Sequence, residues 1–210
     1  MSCRVVVLLS GRGSNFQAIV EATLPIDIVA VISNRPNAAG LTLAREHGLK
    51  TVALDHTLHA ERAAFDAQLA DEIERHQPDL VVLAGYMRLL SPAFIHRFEG
   101  RLLNIHPSLL PMFPGLNTHE RALAEGVKIH GCTVHFVTAQ LDHGPIVIQA
   151  AVSVRADDTA HTLAARVLAQ EHQIYPQAIR WFAEGRLVNK DGRVNLTGDL
   201  TSQSVLSVGA

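Results

Sequence analysis

Cysteine is scarce in this chain of 210 residues: Cys3 and Cys132 are the only two. They lie far apart and match neither a disulfide framework nor a metal-ligand spacing, which points to reduced thiols and a cytoplasmic setting. Long apolar runs are missing as well. No stretch approaches the roughly 20 residues a membrane helix needs. The run from Val5 to Leu9 is too short for a signal-peptide core and soon gives way to Gly11-Arg12-Gly13. Nor is there an excess of one charge. Eighteen Lys and Arg stand against twenty Asp and Glu, a net charge of -2 with histidine neutral. That balance gives no general pull toward nucleic acid or acidic lipid, so any anion must be bound locally. What the composition does supply is 48% hydrophobic residues, enough for a sizeable core in one domain.

Residues 3–9 and 26–33 are continuous runs of β-branched residues and leucine, as in parallel strands buried on both faces. Shorter strands are predicted at 51–54, 80–84 and 101–106. Helices are predicted between them. The first carries Phe16, Ile19, Val20 and Thr23, the second spans 38–47 and closes on Gly48, and the third spans 59–76. The fourth, 92–98, has Ser91 as N-cap and Pro92 at its first position. This alternation predicts an α/β fold: a Rossmann-like, mostly parallel sheet with helices on both faces. A C-terminal antiparallel extension should follow, with a helix at 119–125 and strands at 130–138 and 145–152. A long helix at 157–184 is expected next, capped by Asp158 or Thr159. Leu163, Val167, Ile174, Ile179 and Phe182 form its apolar side, and Pro176 should kink or divide it. Asp191-Gly192 signals a small hairpin between 187–188 and 194–196. Residues 1–197 are expected to form a single domain and 198–210 a disordered tail.

Chemistry can be sought first at residues 101–111, where a buried strand meets a rigid loop rich in proline. Asn104 and His106 are two residues apart and therefore share one strand face. Pro107 ends the strand, which leaves an amide and an imidazole side by side at its carboxyl end. Such a pair serves either as a hydrogen-bonded strand end or as reactive groups. Gly11-Arg12-Gly13-Ser14-Asn15 follows a strand and opens a helix, so its backbone N–H groups suit an anion. Phe16 occupies the third glycine position of the dinucleotide fingerprint, and no Walker lysine follows. The loop thus suits a single phosphate, or is a plain tight turn with Ser14 as cap. Asp142, before Gly144-Pro145, is either a solvated turn carboxylate or a partner of His106. In the second case its charge would raise the imidazole pKa and let a protonated histidine act at neutral pH. His119, His130, Cys132 and His135 do not make a metal site, because period-two geometry sends His135 to the opposite strand face from His130 and Cys132. His135 shares a face with Thr133 and is free to line the active site.

The Gly-Arg-Gly-Ser-Asn loop, Asn104-Ile105-His106-Pro107-Ser108-Leu109-Leu110-Pro111 and Leu141-Asp142-His143-Gly144-Pro145, in that order, resemble the folate-dependent formyltransferase superfamily. The resemblance covers about residues 4–186. Within the superfamily it is greatest to the purine-pathway branch, marked by the phosphate loop, the short chain, and Gln170-Glu171-His172 followed by Tyr175-Pro176. The resemblance implies transfer of a formyl group from 10-formyltetrahydrofolate, as co-substrate, to the amine of glycinamide ribonucleotide, with no metal. It assigns catalysis to Asn104, His106 and Asp142. Gly13, Ser14 and Asn15 would hold the substrate phosphate. Leu168, Ala169, Gln170 and Glu171 would face the rest of that substrate, with Glu171 on the ribose hydroxyls. By residue type alone Glu171 would be a solvent-facing helix carboxylate.

For the folate, the resemblance points to Arg62, to Met87, Arg88, Leu89 and Leu90, to Asn104, and to the loop Thr138, Ala139, Gln140, Leu141 and Asp142. By pattern alone Met87, Leu89 and Leu90 would be core, although their place after a strand's carboxyl end suits a flat apolar pocket. Arg62 would otherwise be an exposed helix charge, and near a folate it could meet the glutamate tail. Two departures stand out: His143 where many relatives carry glycine, and Asn117 where some carry histidine. The expected partners are small molecules alone, without nucleic acid or membrane, for a monomer or weak homodimer. The competing readings are a tRNA-directed formyltransferase, a formyltetrahydrofolate hydrolase, and a non-catalytic nucleotide-binding module. The chain is expected to lack the basic RNA-binding segment of the first and the additional N-terminal domain of the second. The third gives Asn104, His106 and Asp142 no role.

Overall fold

A computed structural model describes residues 2–198 and 203–207. The chain divides into two compact units, Met1–Asn104 and Ile105–Ala210. The first holds β1 (Cys3–Leu9), α1 (Ser14–Glu21), β2 (Ile26–Ser33), α2 (Ala39–Glu46), β3 (Thr51–Ala53), α3 (Arg62–Arg75), β4 (Leu80–Leu83), α4 (Pro92–Arg97) and the first residues of β5 (Leu102–His106). Every strand pairing in it is parallel, in the order β3-β2-β1-β4-β5. The chain winds outward from β1 to β3, then returns to lay β4 on the other side of β1. Right-handed crossovers therefore put α1 and α2 on one face and α3 and α4 on the other. Accordingly α1 packs with α2, and α3 with α4. Val5 to Leu9 are fully buried between these layers, which is why β1 shows no alternation of polar and apolar residues.

The strand order reverses between β1 and β4, the kind of position at which open α/β sheets bind ligands. The loop after β1 is Gly11–Asn15, and the segment after β4 contains Met87–Leu90. Asn104, the last residue of the first unit, pairs in register with Leu83 at the end of β4.

The second unit holds α5 (Thr118–Ala124), β6 (Ile129–Phe136), β7 (Ile146–Ser153), α6 (Ala160–Ala183), β8 (Leu187–Lys190), β9 (Arg193–Leu196) and β10 (Ser204–Ser207). β6 and β7 are antiparallel, as expected for two strands joined by the short 139–144 loop, and α6 lies against both. The fold is thus α/β, with a parallel Rossmann-like sheet and an antiparallel extension. β8 and β9 form the expected hairpin. Its turn residues Asp191 and Gly192 both have positive φ, the conformation that matches the twist of a tight hairpin.

Several boundaries differ from expectation for local reasons. α1 stops at Glu21, which leaves Thr23 outside. α3 begins at Arg62 because a 3-10 turn, His56–Leu58, precedes it, held by the Asp55 carboxylate accepting from Thr57 N at 2.9 Å. α6 is not divided by Pro176: it runs unbroken for 24 residues. Leu163, Val167, Ile174 and Ile179 bury one stripe on both sides of the proline, and this packing offsets the hydrogen bond that proline cannot donate. In the segment expected to form a tail, β10 pairs in parallel with β7, and Gln203 Nε2 donates to Val147 O at 2.8 Å. Residues 199–202 and 208–210 of that segment lie outside the described residues. Among the described residues, no helix is long and apolar enough to cross a membrane.

The start of α6 is a capping box. Thr159 Oγ1 accepts from Thr162 N at 3.2 Å, and Thr162 Oγ1 accepts from Thr159 N at 3.0 Å. Thr159→Ala is expected to lower unfolding stability by about 1 kcal/mol, the usual cost of a lost N-cap. Urea unfolding followed by circular dichroism checks this, and an unchanged midpoint would show that the cap is replaceable.

Candidate active site

β5 ends at His106, and its imidazole is buried, with only 7% of the side chain exposed. Nε2 lies 3.0 Å from Phe113 O. A carbonyl can only accept, so Nε2 carries a hydrogen and donates it there. Nδ1 faces Asp142 Oδ2 at 3.5 Å. The Asp142 side chain is 8% exposed and also accepts from Gly115 N at 2.8 Å. The carboxylate is therefore a buried partner of His106, and the reading of Asp142 as a solvated turn residue is set aside.

The loop that brings Asp142 there is tightly specified. Asp142 has φ 52°, a left-handed conformation that Asp tolerates better than most residues. Phe136 N donates to Pro145 O at 2.9 Å, which fastens the loop to the end of β6. A Cβ on Gly144 would stand 1.7 Å from Phe136 O, so only glycine allows this close passage. A bulge between Val134 and His135 re-aims His135. Its Nδ1 donates to Phe136 O at 3.0 Å, and its Nε2 lies 3.9 Å from Asp142 Oδ1. Burial pushes the His135 pKa down, against smaller opposing effects of the Phe136 carbonyl and Asp142. A neutral ring with its proton on Nδ1 turns a lone pair toward Asp142 and cannot balance that charge. His106 Nδ1, 3.5 Å from Oδ2, is the nearer imidazole nitrogen.

His119, His130, Cys132 and His135 do not converge. His130 Nε2 lies 3.2 Å from His119 Nδ1, whereas Cys132 Sγ faces Val167 O and His135 faces Asp142. Among the described residues there is no cluster of three or more His, Cys, Asp and Glu able to hold a metal. Sequence reasoning gave no role to Phe113 and Gly115, which hold His106 and Asp142 through backbone atoms. Backbone partners leave no trace in side-chain identity. Only the glycine itself and the surrounding prolines hint at a special loop.

In the first unit, Gly13 is the N-cap of α1 at φ 83° and ψ 26°, with no side-chain cap. The reading of Ser14 as cap is corrected: Ser14 is the first helical residue. The cap position must be glycine for two reasons, its positive φ and the 2.9 Å that would separate a Cβ from Gly40 Cα. With no side chain covering it, the helix start presents its first N–H groups and positive dipole end to an anion.

After β4, Met87 and Leu89 are 65% and 53% exposed, so they are surface rather than core. Arg88 stacks its guanidinium over Phe65 at 4.9 Å, and Leu90 is half-buried. Arg62, the first residue of α3, is exposed. In the second unit Leu141 is 52% exposed, Ala139 and Gln140 are exposed, and Thr138 is half-buried. On α6, Gln170 and Glu171 lie on the buried stripe between Val167 and Ile174, while Leu168 is half-buried and Ala169 exposed. Glu171 is thus not the solvent-facing carboxylate its residue type suggests. His143 is exposed, and Asn117 caps α5 in the left-handed conformation, which asparagine accepts readily.

A formyl transferase family model matches residues 3–179. Phosphoribosylglycinamide formyltransferase of Escherichia coli K12 is 50% identical over 198 residues, 92% of this chain and 93% of that protein. The crystal structure of glycinamide ribonucleotide transformylase 1 from Symbiobacterium toebii superposes with a TM-score of 0.91 at 50% identity, over 94% of this chain and 95% of that one. A formyltetrahydrofolate deformylase from Pseudomonas syringae is similar at 28% identity and a TM-score of 0.88, over 94% of this chain and 67% of that one.

Two buried histidines, His130 and His135, and the half-buried His119 set a pH limit on stability. Burial, with a smaller effect of His119, pushes the His130 pKa down to about 4, and burial also lowers those of His119 and His135. An unfolded chain takes up protons at these rings near pH 6.5, which the folded chain resists. Their contribution to stability is therefore complete above about pH 6.5 and is lost as the pH falls toward 4. Unfolding free energy measured with urea should decline over this range, and less steeply in His130→Gln. An equal slope in both proteins would contradict the assignment.

Proposed function

The chain belongs to the formyl transferase family, and on that premise we propose that it transfers the formyl group of 10-formyltetrahydrofolate to the amine of glycinamide ribonucleotide, a step of de novo purine biosynthesis. The observation that carries the mechanism is the buried His106 and Asp142 pair at the carboxyl end of β5, two residues beyond Asn104.

The amine nitrogen attacks the formyl carbon, and its electron pair displaces the carbonyl pair onto oxygen. Asn104, as a neutral amide donor, and His106, as a charged donor, stabilise that oxyanion. Nε2 of His106 is committed to Phe113 O, so Nδ1 is the nitrogen available to donate. Asp142, 3.5 Å from Nδ1, offsets the imidazolium charge and orients the ring. Collapse of the tetrahedral adduct re-forms the carbonyl and expels the folate nitrogen. The proton lost by the amine reaches that nitrogen through His106 or a water that it orders.

Gly13, Ser14 and Asn15 hold the ribonucleotide phosphate, and Leu168 to Glu171 face the rest of that substrate. Glu171, buried on α6, is the carboxylate that accepts from the ribose hydroxyls in this reading. Arg62, Met87, Arg88, Leu89, Leu90, Asn104 and residues 138–142 take the folate. Exposed Met87, Leu89 and Leu141 offer apolar surface to its flat ring. The protein works on small molecules in the cytoplasm, without metal or nucleic acid, as a monomer or weak homodimer.

The decisive assay mixes protein, 10-formyltetrahydrofolate and glycinamide ribonucleotide and follows tetrahydrofolate. Release that depends on the ribonucleotide is expected. Release without it would identify a hydrolase, the activity named for the Pseudomonas relative, and no release at all would refute the enzyme. Asn104→Ala and His106→Ala should each lose about two to three orders of magnitude in kcat while still folding. Near-normal turnover in either would remove it from the mechanism. Asp142→Asn should lower kcat with KM changed by less than about threefold, as for an interaction made in the transition state. Gly13→Ala should raise the ribonucleotide KM by about tenfold, a loss of ~1.4 kcal/mol in binding. A folate KM raised equally would instead indicate general distortion.

A further inference from the structure

Met87–Leu90 poses a physical problem. The segment is irregular, and Met87 and Leu89 point outward, so packing of their side chains cannot hold the backbone in place. A pocket wall for a flat ring must nevertheless be fixed to within a fraction of an ångström to be complementary before the ligand arrives.

Two buried side chains from elsewhere in the first unit meet the segment at its ends. Ser10, 2% exposed and immediately before the glycine loop, accepts from Met87 N at 2.8 Å. Its own hydroxyl hydrogen goes to Asn34 Oδ1 at 2.6 Å, which fixes the rotamer and turns a lone pair toward Met87. Ser10 N also donates to Gly85 O at 3.1 Å, so this residue grips the turn at two points. Asp66, on α3 and 1% exposed, accepts from Ser91 N at 2.6 Å. Met87 and Ser91 bracket Arg88, Leu89 and Leu90, and Arg88 is steadied against Phe65, the neighbour of Asp66 on α3. Both contacts are made to backbone N–H groups, which leaves the exposed Met87 and Leu89 side chains free for a ligand.

We propose that Ser10 and Asp66 are positioning residues that clamp the two ends of the Met87–Leu90 segment, and that this clamp presets the folate side of the site. The inference rests on the functional reading above. It also gives that side of the site a covalent neighbour in the anion loop, because Ser10 is joined directly to Gly11. Neither residue touches the reacting atoms, so the signature is in folate binding rather than in chemistry.

The test has two arms. In the ligand-free wild-type protein, hydrogen exchange resolved by NMR should show slow Met87 and Ser91 amides flanking faster Arg88 and Leu89 amides. Ser10→Ala should release Met87, and Asp66→Ala should release Ser91. In steady-state kinetics each variant should raise the KM for 10-formyltetrahydrofolate by about tenfold, with kcat and the ribonucleotide KM within about threefold of wild type, the pattern of lost ground-state binding. Asp66→Asn retains an acceptor for Ser91 N and should restore the folate KM to within about threefold of wild type. Fast exchange of Met87 and Ser91 in the wild type would overturn the clamp even if both alanine variants failed to fold. So would equal increases in both KM values, or an Asp66→Asn as impaired as Asp66→Ala. A wild-type protein with the slow amides but no ribonucleotide-dependent release would sink the functional reading, and with it the folate role of the clamp.

Discussion

The arrangement at the end of β5 depends on a single buried pairing, His106 with Asp142. A carboxylate this far from water is costly unless a positive charge or several donors offset it. Here the donors within the second unit are the Gly115 amide and His106, whereas His135 turns an unprotonated nitrogen toward the same carboxylate. The Phe113 carbonyl holds the far side of the His106 ring at Nε2, which leaves Nδ1 facing Asp142. The unusual backbone around the site follows from this demand. Phe113 and Asp142 adopt positive φ, and Gly144 passes close to the end of β6, because two loops must bring a carbonyl, an amide and a carboxylate to one imidazole.

The parallel sheet of the first unit supplies a second constraint. β1 is buried on both faces, and the strand order turns around it, so the loops after β1 and β4 open side by side. The first opens α1 on Gly13, a helix start whose uncapped backbone N–H groups suit an anion. The second carries exposed apolar side chains that its own packing cannot hold. Ser10 and Asp66 supply the missing rigidity through hydrogen bonds, and Ser10 does so from the residue that leads into the cradle.

Most of the architecture could be read along the chain. β1 and β2 have their expected bounds, and the caps at Ser91 and Thr159 and the hairpin at Asp191-Gly192 stand where local chemistry places them. These features depend on neighbours within a few residues, where side-chain period and turn preference act directly. Where local reasoning failed, tertiary packing prevailed. Pro176 does not divide α6 because the stripe on both sides of it is buried, and Met87 and Leu89 resemble core residues in composition yet lie at the surface. β10 offered no strand signal because its pairing depends on β7 being beside it.

The same divide runs through the site. Asn104 and His106 share a face by strand geometry alone, and the glycine loop stands between strand and helix as its position in the chain requires. Sequence determined these because residues two apart on a strand, or at one strand end, have no freedom to separate. The proximity of Asp142 and His135 to His106, the backbone grips of Phe113 and Gly115, and the burial of Glu171 were decided only by tertiary structure. They depend on a bulge in β6, a left-handed turn at Asp142 and the face of α6 that meets the sheet. A one-residue change in any of these would turn the side chains elsewhere without altering the local pattern of the sequence.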